Sequence, residues 1–395
     1  MKKALIVALC LILVGGLLFA LAACTSDGGL KSMFTGKGVE AVKTLDEDFE
    51  NIDINTRTAD ITFLEAEDGV CKVVSYDSEK IRYDVYVEGG TLKIKTVDER
   101  KWFERISIRD VATLRVYLPK SAYSALSIDE STGNISIPEI FSFENVNIEL
   151  STGNTELYAS VTGHIDIDGS TGSVYVKDIN CGSLGIEVST GNVSLKNVEC
   201  AGKVEIEVST GRVQLDDVNL GSLETEGDTG NFSAQNITSS DSISVERDTG
   251  KVNIQNATVG GDLVTETDTG DISLSTIACT GDLRITVSTG KSSLSDVSCK
   301  NLVTVGSTGW IDMVDLVASE SFNIERSTGD VTFTRCDASE ITVLTDTGDV
   351  RGTLLSEKIF FYDTDTGDVD LPETMTGGKC KITTDTGDIV ISIEK

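Results

Sequence analysis

The chain has 395 residues, a formal net charge of −31 at pH 7 and one histidine. So large an acidic excess argues against nucleic acid and against direct adhesion to anionic lipid. A single histidine, His164, leaves no Ser-His-Asp, Cys-His or metal-ligand cluster to assemble.

In chain order the first element is apolar. Lys2 and Lys3 precede an uncharged run from Ala4 to Ala23, about the 20 residues that span a membrane. The run ends in Leu21-Ala22-Ala23-Cys24, which resembles the lipobox of bacterial lipoprotein signal peptides. On that reading Cys24 becomes the lipidated first residue. The run is long for a signal peptide, and an uncleaved membrane helix with its N-terminus inside is the other reading. Residues 1–24 are thus a signal or anchor segment under either reading. Both place residues 25–395 on the extracytoplasmic side. Residues 25–45, with Gly, Ser, Thr and Lys, read as a tether.

Residues 46–125 read as a first coil and an N-terminal β cap. Ile52, Ile54, Ala59, Asp60, Ile61 and Phe63 follow a pattern that the rest of the chain repeats. Strand-like runs follow at Cys71–Tyr76, Ile81–Val87, Thr91–Thr96 and Thr113–Leu118. Glu88-Gly89-Gly90 between the second and third signals a hairpin.

From residue 126 to 395 the chain keeps a beat. Ser/Asp-Thr-Gly recurs with Gly at 133, 153, 172, 191, 211, 230, 250, 270, 290, 309, 329, 348, 367 and 387. Every step is 19 or 20 residues, the signature of a repeat architecture. With Gly as zero, apolar residues fall at −7, −5, −3, +2, +4 and +7, as in Leu184, Ile186, Val188, Val193, Leu195 and Val198. Alternation on both sides of a turn gives two short strands per coil and no helix. The Thr-Gly step is the corner. The fold predicted is all-β, a right-handed parallel β-solenoid (β-helix) of 14–15 coils. Stacked at about 4.8 Å per layer, it forms a rod on the order of 65 Å long. The last coil, ending at Lys395, is expected to lie uncapped at the far end.

Asp-Thr-Gly also carries the carboxylate of aspartic proteases, but that chemistry needs two such loops facing each other. Here all copies share one edge and read as corners. Asp346 with Asp349, Asp365 with Asp368 and Asp385 with Asp388 flank three successive glycines. Stacked carboxylates repel, and a divalent cation such as calcium could offset this. A solvated acidic ridge with no cofactor is the simpler reading. Nine cysteines are present. Cys181, Cys200, Cys279 and Cys299 share offset +9, Cys336 sits at +7 and Cys380 at −7. They read as buried free thiols. Cys181 with Cys200, and Cys279 with Cys299, have backbone spacing for a bridge but poorly aimed side chains. Trp310, Tyr175 and Phe232 form no regular stripe and read as local packing. Arg247 and Arg326 stand at −3 beside Glu246 and Glu325.

Asp-Phe-Glu-Asn-Ile-Asp-Ile at 48–54, Thr-Ala-Asp-Ile at 58–61, Leu-Pro at 118–119, Ser-Ile-Asp-Glu-Ser-Thr-Gly-Asn at 127–134 and the recurring corner complete a pattern. Over about residues 45–395 it resembles the putative adhesin family of bacterial envelope proteins with β-strand repeats, a domain of unknown function. The resemblance implies a cell-surface solenoid of a Gram-positive bacterium and carries over no site residue. The functional expectation is a non-enzymatic, membrane-anchored adhesin-like or scaffold module with an unidentified glycan or protein ligand. The alternative is an envelope-stress protein that captures cationic antimicrobial peptides. A polysaccharide-acting β-helix enzyme would need long loops walling a cleft, and none is inserted after Gly133.

Overall fold

The computed structural model describes residues 39–77, 80–100 and 112–394. Cys24, the anchor segment and the first part of the tether lie outside the described residues. All regular structure among the described residues is β, and successive coils pair in parallel, residue on residue. Leu184, Ile186, Val188, Val193, Leu195 and Val198 all point inward and are buried, as are their counterparts one coil on. One continuous apolar core runs from Phe49 to Ile391.

The corner glycines are required twice over. Gly211 has φ 153°, a region that a side chain rarely adopts. A Cβ on Gly211 would also lie 1.5 Å from the carbonyl oxygen of Gly191 in the coil before it. The same approach recurs along the stack, so the ladder of corners packs backbone on backbone. Ala59 begins that ladder and takes no positive φ.

A second bend was hidden in the spacing. The inward residues at +4 and +7 are three apart, so two successive residues face out between them. The second of these, at +6, is left-handed: Asp178, Asn197, Asp217, Asn236, Asn256, Thr276, Asp296, Asp315 and Arg335 have φ from 51° to 57°. Asn and Asp tolerate this region best. They also bond along the stack: Asn197 Nδ2 donates to Asp178 Oδ1 at 2.7 Å, and Asn236 Nδ2 to Asp217 Oδ1 at 2.8 Å. The nine coils from Gly172 to Gly329 therefore bend at +6 as well as at their glycines.

At the N-terminal end the order of layers departs from chain order. Strands β1 (Val39–Leu45), β2 (Asn51–Thr56), β3 (Ala59–Glu65), β4 (Cys71–Asp77), β5 (Ile81–Glu88), β6 (Thr91–Asp98), β7 (Ala112–Leu118), β8 (Ala122–Thr132) and β9 (Ile135–Ile137) follow one another. β2 lies between β6 and β8, and β3 between β7 and β9, all parallel. The chain's first coil is thus sandwiched. β5 pairs antiparallel with β6 across Gly89 and Gly90, whose φ values are 59° and 73°. β4 runs antiparallel to β7 and carries β1 on its other edge. This corrects the tether: residues 39–45 are a strand. β1 covers the edge of β4 that would otherwise offer unpaired backbone groups, and Leu45 packs on the core.

The C-terminal end needs a matching correction. The Gly348 coil (Glu340–Thr347, Val350–Leu354) does not pair with the next coil in sequence. It pairs with the Gly387 coil (Gly378–Thr386, Ile389–Ile393), which in turn pairs on its far side with the Gly367 coil (Lys358–Thr366, Val369–Asp370). The last coil is therefore tucked one layer in, and residues 371–377 carry the chain past it. Its inward face explains this. Cys380, Ile382, Ile389 and Ile391 are all buried, whereas the Gly367 coil offers Tyr362 and Val369, which stay exposed. The more apolar coil takes the slot with two neighbours.

Candidate binding surface

The six acidic residues singled out in the sequence separate into two sets. Asp349, Asp388 and Asp368, one residue after their glycines, are stacked in that order. The Asp388 N–H donates to Asp349 Oδ1 at 2.8 Å, and the Asp368 N–H to Asp388 Oδ1 at 2.9 Å. The same bond joins Asp349 to Asp330, and earlier Asn154 to Asn134 and Ser173 to Asn154. A side-chain oxygen at +1 thus completes the backbone ladder where the corner would leave an N–H bare. Arg351 then reaches Asp349 at 2.8 Å and Asp388 at 2.7 Å. The Asp388 N–H, and next Arg351, hold the Asp349 carboxyl below its ordinary range. Asp346, Asp365 and Asp385 stay exposed on the other side of their glycines. Among the described residues no group of three or more His, Cys, Asp and Glu is placed to hold a metal ion.

A larger acidic feature lies elsewhere. At offset −4, Asp129, Glu149, Asp168, Glu187, Glu207, Glu226, Glu246 and Glu266 occupy eight consecutive coils. Direct backbone partners are Asp129 with Glu149, Glu149 with Asp168, Asp168 with Glu187, Glu187 with Glu207, Glu207 with Glu226 and Glu246 with Glu266. All eight are exposed. Successive carboxylates are therefore about 4.8 Å apart at the backbone. Asp166, Glu205 and Glu224 flank the column on one side, Asp228, Asp248 and Asp268 on the other. Lys203 pairs with Glu205 and Glu224. Among the described residues no lysine or arginine pairs with the column itself. Glu207, Glu246 and Asp168 are all raised, first by partial burial and then by mutual repulsion, Glu246 by Glu266 and Glu226. Sequence reading missed this column because it followed the Gly-flanking residues. The signal was there, one acidic residue four before each of the eight glycines from Gly133 to Gly270.

The remaining candidates form local contacts, some buried and some exposed, and no shared site. Phe232 is buried, with the Arg247 guanidinium 5.8 Å from its ring centre. Tyr175 meets Tyr158 edge to face. Trp310 is exposed, with Lys291 Nζ 5.6 Å over its ring. Arg247 and Arg326 turn inward, each over a glycine of the preceding coil, Gly227 and Gly306. Their NH2 groups donate to Thr225 and Thr304 Oγ1. Burial lowers both guanidinium groups to about 10. His164 Nδ1 lies 2.8 Å from Ser183 Oγ on the exposed side. No helix among the described residues is long and apolar enough to cross a membrane.

Stacked coils, side-chain ladders and shallow open recesses define the class: a parallel β-solenoid built from one repeated unit. The chain belongs to the Toastrack DUF4097 family, which matches residues 49–258 and again 257–395, as the sequence resemblance implied. No curated protein matches it. Among solved structures it is similar to a putative adhesin from Bacteroides fragilis, at 13% identity and a TM-score of 0.36, covering 61% of this chain and 98% of that one. It is also similar to a putative cell adhesion protein from Clostridium sporogenes, at 13% identity and a TM-score of 0.21, covering 59% and 100%. A putative lipid binding protein from Parabacteroides distasonis shares 14% identity at a TM-score of 0.19, covering 90% and 98%.

Proposed function

We propose that this chain is a non-enzymatic binding rod, held to the outer side of a bacterial membrane by its first 24 residues, with lipidated Cys24 or an uncleaved helix as the anchor. It works as an adhesin-like or scaffold module whose ligand lies along a strand face rather than in a cleft. The observation that carries this is the eight-coil acidic column, a regular row of carboxylates with no lysine or arginine partner among the described residues. Such a row attracts polycations by long-range field and holds them by many weak contacts. It favours a cationic peptide or polymer as the partner, the envelope-defence version of the adhesin reading. β1 and β4 to β7 act as the cap that keeps the N-terminal strand edges from pairing with other chains.

The test is binding of the purified extracytoplasmic chain to an array of host glycans, peptidoglycan fragments and cationic peptides at low and high salt. Binding to cationic peptides that weakens sharply with salt is expected, because exposed charge contacts are screened over about 8–10 Å. A salt-resistant glycan signal with no peptide signal would move the ligand off the acidic column. Hydrolysis of any glycan on the array would end the non-enzymatic reading.

A further inference from the structure

Two cysteines occupy equivalent places in neighbouring coils. Cys181 and Cys200 are backbone partners in the parallel ladder, so their Cα atoms are about 4.8 Å apart, inside the range that a disulfide spans. Both side chains are buried, and Cys200 Sγ lies 3.7 Å from the Gly182 carbonyl oxygen and 3.8 Å from that of Lys203. Immediately after them the register slips, between Cys181 and Leu184 on one strand. Gly182 and Gly202 lie in that irregular stretch, while the two cysteines themselves stay in register. The pair also has access. Cys181 and Cys200 line an open recess of about 410 Å³, with Asn180, Glu199, Asn219 and Ser240 around them.

We propose that Cys181 and Cys200 form a dithiol site that reacts with small neutral or cationic disulfides and closes into a bridge stapling two adjacent coils. Cys200 is the attacking sulfur. The neighbouring Cys181 thiol, and to a lesser degree the Gly202 N–H, lower the Cys200 thiol against its burial, while Cys181 is raised. The Cys200 thiolate attacks one sulfur of the small disulfide and expels the first thiolate. Cys181 then attacks Cys200 Sγ, loses its proton to solvent or to that thiolate, and expels the second. The small disulfide is reduced to two thiols and the protein dithiol is oxidised, so no other oxidant is needed. Glu199 at the recess and the surrounding acidic surface disfavour anionic disulfides.

Cys279 and Cys299 are the internal comparison. They share offset +9 one coil apart, but the ladder between their strands ends at Ala278 with Ser298, so they are not backbone partners, and burial pushes Cys299 up to about 12. They should stay reduced under conditions that close the first pair.

The experiment treats the reduced full chain with cystamine, quenches with acid and maps tryptic peptides without reduction. The expected result is peptide 178–196 linked to peptide 197–203, with Cys279 and Cys299 unmodified. In Cys181→Ser the small thiol should remain attached at Cys200. In Cys200→Ser, Cys181 should react at least tenfold more slowly. Oxidised glutathione, which is anionic, should react more slowly than cystamine with the wild-type chain. Absence of the 178–196 to 197–203 link while the chain stays folded, or equal reactivity of both variants, would overturn the proposal.

Discussion

At the residue scale, backbone geometry and burial decide most of the sequence. Gly211 has both a positive φ and no room for a Cβ beside the Gly191 carbonyl, whereas Gly69 has φ 71° but open space around its Cβ position. Gly211→Ala should therefore destabilise by about 2–4 kcal/mol, and Gly69→Ala by about 1 kcal/mol from backbone strain alone. Equal melting transitions for the two variants would remove the close-approach argument. Among the described residues Glu130 is the one buried acid, 1% exposed and hydrogen-bonded by Thr56 Oγ1 and the Thr132 N–H. Burial raises it from an ordinary glutamate value of 4.5 to about 7. Its folded form therefore holds a proton that the unfolded chain releases between pH 4.5 and 7. Stability from this site is full below that window and falls as pH rises through it. Glu130→Gln mimics the protonated acid. It should match wild type at pH 4 and exceed it by on the order of 3 kcal/mol at pH 8, measured by urea unfolding. A constant difference at both pH values would contradict the assignment.

At the element scale the coils are interchangeable units, and that is where sequence reading both succeeds and stops. Strands, corners and inward offsets were legible because Ser/Asp-Thr-Gly and the apolar columns repeat along one chain. The bend at +6 was legible too, in the three-residue gap between +4 and +7 and the Asn/Asp column, but it was passed over. The order of the end layers was not legible. Both the Gly367 and the Gly387 coils satisfy the repeat, and only the comparison of their inward faces places Ile382 inside and Tyr362 at the edge. The tether reading ran over β1 because that strand is recruited by the edge of β4, a partner remote in sequence. Paired cysteine substitutions read the order directly. Leu344 and Thr383 are backbone partners, and Thr383 is in turn the partner of Asp363. Leu344→Cys with Thr383→Cys should cross-link on oxidation. Leu344→Cys with Asp363→Cys, two layers or about 9.6 Å apart, should not. The reverse pattern would restore simple chain order. Ile382→Ala should cost about 2–4 kcal/mol, while Phe361→Ala, at an edge position 52% exposed, should cost less than about 1 kcal/mol.

At the scale of the whole molecule, charge governs behaviour. The net charge of −31 is concentrated in part on one strand face. Glu207, Glu246 and Asp168 are raised, whereas Asp349, Asp271 and Asp178 are lowered by bonded partners. Raised acids contribute stability that is lost as pH climbs above the ordinary carboxylate value. Lowered acids contribute stability that is lost only as pH falls below it. Melting temperature should therefore rise on acidification from pH 8 to about 5, fall again below about 4, and rise with added salt at pH 8. A profile that falls steadily from pH 8 to 5 would show that repulsion on this face is not felt. The scaffold that produces the face was legible in the sequence, and the face itself was present as a column of acids four residues before eight successive glycines. Its ligand was not, because a regular scaffold fixes spacing and charge without fixing a partner. The most direct measurement is the salt dependence of oligolysine binding to the wild-type chain and to a variant with Glu187, Glu207, Glu226 and Glu246 all changed to Gln. The account predicts that wild type binds with an affinity that falls steeply with salt, and that the folded variant loses at least tenfold and most of the salt slope. Equal affinity and equal slope for the two proteins would contradict it.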